Sequence, residues 1–239
     1  MKQFILILGG LFVLFASCSA QLTGQLAQDA SGTVQIQAGL EPNMTALIRS
    51  LGSLNAGGVV NTQSGPLLDA AAINKSLGAA PGVKASSLRN TGRDRIDGTV
   101  AVSQIGDLLA AGDRRFIRYE APAGGAPGRL TIHLDRSLGP RILPYISPDA
   151  GDYLSALMAP VATGEALSKK EYLELVTSIY GKNIADEIAV SKIRAVISFP
   201  GQIQSVKGGG FSGREARFEV SLADLLVLEN PLDYEVVWR

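Results

Sequence analysis

Strict alternation of apolar and polar residues recurs along this chain and limits the folds that it can adopt. Every second residue is apolar over residues 33–40, and the same period returns at 192–199, 215–222 and 232–238. A period of two places successive side chains on opposite faces of a β-strand, so each segment presents one apolar face. Because such faces must be covered, the sequence predicts antiparallel sheets that bury one side.

Turn-forming residues separate pairs of these segments. Asp, Asn, Ser and Gly either hydrogen-bond to their own backbone or tolerate left-handed conformations, which suits the tips of hairpins. Tips of this composition lie at residues 29–32, after a strand predicted at 22–28, and at 90–92. We also predict a type II turn at Pro200-Gly201, because proline fixes the first dihedral angle and glycine tolerates a positive second one.

Helical patterns occupy the chain between the alternating segments. Pro42 suits the first position of a helix, and an alanine-rich helix is predicted over residues 66–77. Ser168 and Glu171 have the spacing of a capping box, in which each side chain bonds the backbone of the other. Residues 138–190 are therefore predicted to be a helical insertion. The predicted fold class is α+β, with an antiparallel sheet of hairpins packed against helices.

The start of the chain has the composition of a secretory signal. Lys2 supplies a positive charge, residues 4–15 form an almost unbroken apolar run, and two small residues precede Cys18. This order is typical of a signal peptide. The apolar run is shorter than the roughly 20 residues that a membrane span needs. We therefore predict a signal peptide at 1–17 and a single exported domain at 18–239.

Cys18 is the only cysteine of the chain, which excludes an intrachain disulfide. Its position after Ala16-Ser17 resembles the lipobox of bacterial lipoproteins, in which the cysteine is diacylated after the preceding peptide is removed. Phe15 stands where leucine is commonest, and relaxed lipoboxes of this kind resemble those of spirochaetes. The resemblance implies lipidation at Cys18 and attachment to the cell membrane or the outer membrane, with the domain in the periplasm. The open alternative is a plain signal-peptide cysteine that is lost on cleavage or left inert.

Both ends of the region after Cys18 resemble a known family. The segment Ile197-Ser198-Phe199-Pro200-Gly201-Gln202-Ile203, the Gly-rich turn after it and the strand at 215–222 are similar to the C-terminal half of the LppM-type bacterial lipoprotein domain. The hairpin at 22–40 is similar as well. The resemblance implies an α/β domain attached to the envelope that contacts lipids or glycolipids. It brings no catalytic residues. Family members often carry a C-terminal membrane span, and we expect none here because the chain ends on a strand.

Few residues suit catalysis or metal binding. His133 is the only histidine, which excludes a multi-histidine metal site, and we interpret it as a surface residue of a strand at 129–135. The glycines at 208–210 lack the Gly-Lys-Ser/Thr ending of a phosphate loop. The charged stretch at 90–97 is interpreted as a solvated hairpin tip, with a headgroup or phosphate contact as the alternative. We predict no cofactor, no metal and no enzyme activity.

Three functions stay open after these exclusions. The leading one is an envelope lipoprotein that binds a lipid or glycolipid at the membrane surface, because only residues 19–21 separate Cys18 from the first predicted strand, a reach of roughly 10–14 Å. The alternatives are an assembly subunit that docks another envelope protein and a hydrolase, for which no carboxylate pair is evident. A closed cavity between the sheet and the helices would favour lipid, and a flat apolar patch would favour a protein partner. With 22 basic and 22 acidic residues, no net charge favours nucleic acid.

Overall fold

The computed structural model describes residues 18–54, 65–80, 82–105, 116–139, 154 and 157–239. Strands and helices are both present, so the predicted α+β class is confirmed. The predicted signal peptide at 1–17 lies outside the described residues. No helix in these ranges is long and apolar enough to cross a membrane.

The described chain contains twelve strands and six helices. The strands are β1 (Cys18–Leu26), β2 (Gly32–Leu40), β3 (Val83–Ser86), β4 (Arg89–Gly92), β5 (Arg95–Val102), β6 (Ile117–Glu120), β7 (Gly128–Leu134), β8 (Lys192–Ser198), β9 (Ile203–Lys207), β10 (Gly210–Ser212), β11 (Glu215–Ser221) and β12 (Leu232–Trp238). The helices are α1 (Pro42–Leu54), α2 (Ala70–Gly78), α3 (Pro160–Thr163), α4 (Lys169–Tyr180), α5 (Lys182–Val190) and α6 (Leu222–Val227).

The strands form two sheets. Sheet A has the order β10-β11-β8-β1-β2-β5-β3, with β4 also paired to β5, and sheet B has the order β6-β7-β12-β9. All pairs are antiparallel except β1 with β8, which run parallel with Ala20 opposite Ile193. Helix α5 ends at Val190, directly before β8 starts. The helical insertion therefore returns the chain to the end of sheet A where β1 begins.

Two apolar clusters hold these layers together. The larger joins the inner face of sheet A to the helices, and Ile36, Ile96 and Ile188 are each no more than 1% exposed within it. The smaller lies near sheet B and contains Phe199 and Trp238, whose ring centroids are 4.8 Å apart. The alternation that predicted the strands therefore corresponds to real inward faces on both sheets.

The first hairpin and the capping box are confirmed. Strands β1 and β2 pair along their whole length, from Cys18 opposite Leu40 to Leu26 opposite Gly32. At the start of α4, the backbone N–H of Glu171 donates to the Ser168 hydroxyl at 3.2 Å. The Glu171 carboxylate accepts from the Ser168 backbone N–H at 2.8 Å. That hydrogen bond lowers the pKa of Glu171.

Two predicted boundaries are wrong because side chains make hydrogen bonds to the backbone, one of them local and the other tertiary. The second helix begins at Ala70 instead of residue 66, since Asp69 caps it by accepting the N–H of Ala71 at 2.9 Å. The predicted hairpin tip at 90–92 belongs to strand β4. Asn90 is held there because its side chain amide accepts the N–H of Ala70 at 3.2 Å. The turn falls instead between β4 and β5.

The prediction of a type II turn at Pro200-Gly201 is also wrong. Gly201 does not adopt the positive φ that this turn requires. A Cβ at Gly201 would instead collide with the backbone carbonyl of Arg239. Glycine is needed here because its backbone passes close to the Arg239 carbonyl. This close approach occurs where the chain crosses from β8 in sheet A to β9 in sheet B. Leu222, predicted to end a strand, begins helix α6, which Ser221 caps by accepting the N–H of Asp224 at 3.0 Å.

Candidate functional site

An apolar cavity of about 260 Å³ lies between sheets A and B. Leu22, Ala195 and Phe218 face it from sheet A, and Ile132 and Tyr234 face it from sheet B. We call this the inter-sheet cavity. The cavity therefore lies between two sheets and not between the sheet and the helical insertion, where a closed cavity would favour lipid.

The inter-sheet cavity exists because a small residue lies between larger ones on neighbouring strands. Ala195 of β8 is opposite Leu22 of β1 on one side and Phe218 of β11 on the other. All three are inward positions of sheet A that line the cavity. Since a methyl group replaces a longer side chain in the middle of this row, volume is left open above Ala195.

The walls of the cavity carry little polarity. Among the described residues that line it, Glu235 is the charged one, and its carboxylate accepts from Arg129 Nη1 at 2.6 Å. Burial raises the pKa of Tyr234, so its phenol stays neutral. The Tyr234 ring meets Phe218 edge-on with centroids 5.4 Å apart, which joins the two sheets beside the cavity. Such a lining suits a hydrocarbon group and disfavours a charged one.

A second concave surface lies on the outer face of sheet A. It has a volume of about 320 Å³, and its walls are polar. We call it the polar groove, and it is formed in part by Ser19, Gln21, Gly39, Arg95, Lys192 and Arg194. These residues come from β1, β2, β5 and β8, at the end of the sheet where β1 begins.

Cys18 is the first residue of β1, and its backbone pairs with Leu40 of β2. The strand was predicted to begin at Leu22, four residues later. In the structure Cys18 is itself the first residue of the sheet, so no linker residue separates the two. Ser19, which directly follows it, lines the polar groove.

The charged stretch at 90–97 is only partly a solvated tip. Asp94 accepts from Arg49 Nη2 at 2.8 Å, and the two side chains are 11% and 15% exposed. Asp94 also accepts the N–H of Leu67 at 3.0 Å. The interpretation as a solvated tip is therefore wrong for Asp94, whose ion pair ties the hairpin to helix α1. Arg95 of the same stretch lies in the polar groove.

His133 lies on the surface of sheet B, as interpreted, with 38% of its side chain exposed. Its Nδ1 lies 2.5 Å from Asp233 Oδ1, and its Nε2 lies 3.2 Å from Asp135 Oδ2. Asp233 is directly opposite His133 in the β7–β12 pair. Sequence reasoning missed Asp233, which is one hundred residues away in the chain. Chiefly the hydrogen bond to Asp233 raises the pKa of His133.

The stability contributed by His133 should therefore depend on pH. A group whose pKa is raised on folding stabilises fully below its unfolded pKa, roughly 6.5 for histidine, and loses this effect as pH rises through the folded pKa. We expect wild type to exceed His133→Gln in free energy of unfolding at pH 6, and by less at pH 9, in urea titrations. In an Asp233→Asn background the pH dependence should shrink. An equal difference at both pH values would contradict this assignment.

Within residues 18–54, 65–80, 82–105, 116–139, 154 and 157–239, no group of three His, Cys, Asp or Glu residues could hold a metal ion. The predictions that the protein has no cofactor and no enzyme activity stay predictions.

No protein-family model matches the sequence. No curated protein matches it either. Among solved structures, the NMR structure of the folded domain of the Mycobacterium tuberculosis LppM protein is similar to this chain, with a TM-score of 0.40 and 12% sequence identity. The alignment covers 93% of this chain and 89% of that one. This neighbour has the name of the family that the sequence resembles. It gives no support to a spirochaete-like origin, and a likeness of this degree carries no conclusion about function.

Proposed function

We propose that this protein is a non-enzymatic envelope lipoprotein that binds the hydrocarbon part of a lipid or glycolipid in the inter-sheet cavity. The observation that carries the proposal is the cavity of about 260 Å³ with its apolar walls. An engineered apolar cavity of about 150 Å³ takes up benzene, so this larger one has room for a segment of an acyl chain. Release of that segment from water supplies the binding free energy.

The lipid anchor is the second part of the proposal. It is supported by the order of a basic residue, an apolar run and small residues before Cys18. Because β1 starts at Cys18, an acylated Cys18 would hold sheet A directly at the membrane surface. Intact-mass measurement of protein purified from its native membrane should show a chain that begins at Cys18 and carries acyl groups. A chain with a free thiol would overturn the anchor.

Filling the inter-sheet cavity tests the binding proposal. Ala195→Trp places an indole in the open volume between Leu22 and Phe218. We expect it to weaken uptake of the fluorescent fatty acid cis-parinaric acid by at least about tenfold, since an occupied cavity cannot accept the chain.

The matched control is Val196→Trp, which adds the same ring one residue along β8 and so on the opposite face of sheet A. It should change the affinity for cis-parinaric acid by less than about twofold, a difference below 0.5 kcal/mol. Equal affinities for both variants and wild type would exclude the cavity as the binding site. An assembly subunit would then be the better description of the protein.

A further inference from the structure

We propose that the polar groove binds the phosphodiester of a phospholipid headgroup and thereby determines which face of the protein lies on the bilayer. This inference rests on the proposed anchor at Cys18, because the anchor brings the groove to the membrane. The inter-sheet cavity holds hydrocarbon, whereas the groove holds the charged part of a different lipid molecule.

The floor of the groove is low because two small residues meet there. Ser19 of β1 is opposite Gly39 of β2, and Gly39 is opposite Arg95 of β5. The Arg95 side chain lies across Gly39, where an added Cβ would come within 2.9 Å of Arg95 Cγ. The aliphatic part of the Arg95 side chain thus lies over the sheet, and the residue lines one side of the polar groove.

Among the residues that the structure describes, none forms an ion pair with the guanidinium of Arg95 within 4.0 Å, although Arg95 lines a groove next to two more cations. Guanidinium groups match the oxygens of phosphate with two parallel hydrogen bonds. Arg95 is therefore the residue that we expect to make the main contact with the phosphodiester.

Lys192 and Arg194 form the opposite wall and share one partner. Glu219 accepts from Lys192 Nζ at 2.6 Å and from Arg194 Nε at 2.8 Å. Their side chains are 43% and 59% exposed. Exposed ion pairs of this kind contribute little to stability, so either cation can turn to a phosphate oxygen at small cost.

Carboxylates in the groove restrict what else the ligand can carry. Asp97 and Glu41 also line it, and Gln37 Nε2 donates to Asp97 at 3.3 Å. These oxygens accept hydrogen bonds from an amine or hydroxyl on the headgroup and repel a second phosphate. The charges therefore match a single phosphodiester with a hydrogen-bond donor beyond it.

The position of the groove favours a membrane lipid as the occupant. Its lining begins at Ser19, the residue after Cys18, so acyl chains on Cys18 would enter the bilayer at its edge. Tethering raises the effective concentration of neighbouring headgroups to the millimolar range or above. The groove and the cavity lie on opposite faces of β1 and β8, with Gln21 and Arg194 outward and Leu22 and Ile193 inward, so one lipid cannot fill both.

The test uses the full acylated chain in dodecyl maltoside, a detergent without phosphate. Dihexanoyl phosphatidylglycerol is added below its micellar concentration, and amide NMR shifts of Ser19, Gly39 and Arg95 are followed. We expect saturable shifts, and an affinity at least about tenfold lower in the triple variant Arg95→Gln, Lys192→Gln, Arg194→Gln, equivalent to 1.4 kcal/mol. The matched control neutralises three cations of exposed ion pairs elsewhere, Arg118→Gln, Lys170→Gln and Lys182→Gln, and should bind as wild type does.

The possible outcomes separate the groove from the anchor. Unchanged binding in the triple groove variant, or equal loss in the control variant, overturns the groove proposal. Inorganic phosphate that binds as tightly as the lipid overturns the assignment to a headgroup. If the intact mass shows an unacylated Cys18 while the lipid still shifts these amides, the proposed anchor fails and the groove assignment is supported.

Discussion

Trp238→Ala is expected to lower the free energy of unfolding by about 3–5 kcal/mol, the cost of truncating a fully buried aromatic side chain. Trp238 is 1% exposed, and its ring is tilted against Phe199 at 4.8 Å and stacked on Tyr119 at 6.0 Å. On another side it fills the space above Gly128, where a Cβ would come within 2.8 Å of the indole Nε1. Neighbours on several sides leave no easy way for the space to collapse.

The measurement is urea unfolding followed by far-ultraviolet circular dichroism. Tryptophan fluorescence is unsuitable, because Trp238 is the only tryptophan of the sequence and the substitution removes it. Phe211→Ala serves as the control, since Phe211 is 47% exposed and should change stability by less than about 0.5 kcal/mol. A loss below 1 kcal/mol for Trp238→Ala would contradict the packing described here.

Trp238→Phe keeps the prediction testable if the alanine variant does not fold. The buried Nε1 of Trp238 has no hydrogen-bond partner among the described atoms. An unsatisfied buried donor costs about 1–3 kcal/mol, and phenylalanine removes that cost while it loses part of the ring volume. We therefore expect Trp238→Phe to be destabilised by less than half as much as Trp238→Ala.

Gly98→Ala is expected to destabilise the protein by about 3 kcal/mol or more. Gly98 has a φ of +155°, and an added Cβ would lie 2.7 Å from Leu88 Cα as well as against the Ser87 carbonyl. An unfavourable backbone conformation costs about 1–3 kcal/mol, and forced overpacking adds a similar amount. Leu88 cannot move aside easily, because Asn74 bonds both its N–H at 3.0 Å and its carbonyl at 2.7 Å.

Gly210→Ala is the matched control on another strand of sheet A. A Cβ at Gly210 meets nothing within 4 Å, and its φ lies outside the positive region. This variant should differ from wild type by no more than about 0.5 kcal/mol in the same urea titration. A Gly98→Ala protein as stable as Gly210→Ala would show that residues 87–88 move away from β5 without cost.

Local patterns predicted the elements whose signals are contained in a few neighbouring residues. The hairpin of β1 and β2 needed only alternation and a tip of turn residues, and the start of α4 needed only Ser168 and Glu171. Helix α6 was missed because its first residue, Leu222, continues the alternation of β11. Leu222 is 0% exposed, and a buried leucine at this position suits the end of a strand as well as the start of a helix. Periodicity alone cannot place a boundary at a residue that suits both elements.

The hairpin at 90–97 shows why other boundaries required the folded chain. Asn90 and Asp94 are good turn residues in isolation, yet both side chains make distant hydrogen bonds. Asn90 accepts the N–H of Ala70, and Asp94 accepts from the N–H of Leu67 and from Arg49 of helix α1. These tertiary hydrogen bonds outweigh the local preference and move the turn. No pattern in the stretch itself reveals partners that lie twenty or more residues earlier.

Periodicity along the chain was enough to predict strands with one apolar face and helices between them, and the residues before Cys18 predict export. The folded chain was needed to show that β1 pairs with β8 and that a second sheet lies over the first. The inter-sheet cavity depends on Ala195 meeting Leu22 and Phe218, and the polar groove depends on Ser19, Gly39 and Arg95 coming into register. Face and period are local properties of a strand, whereas both sites arise from the register between strands distant in sequence.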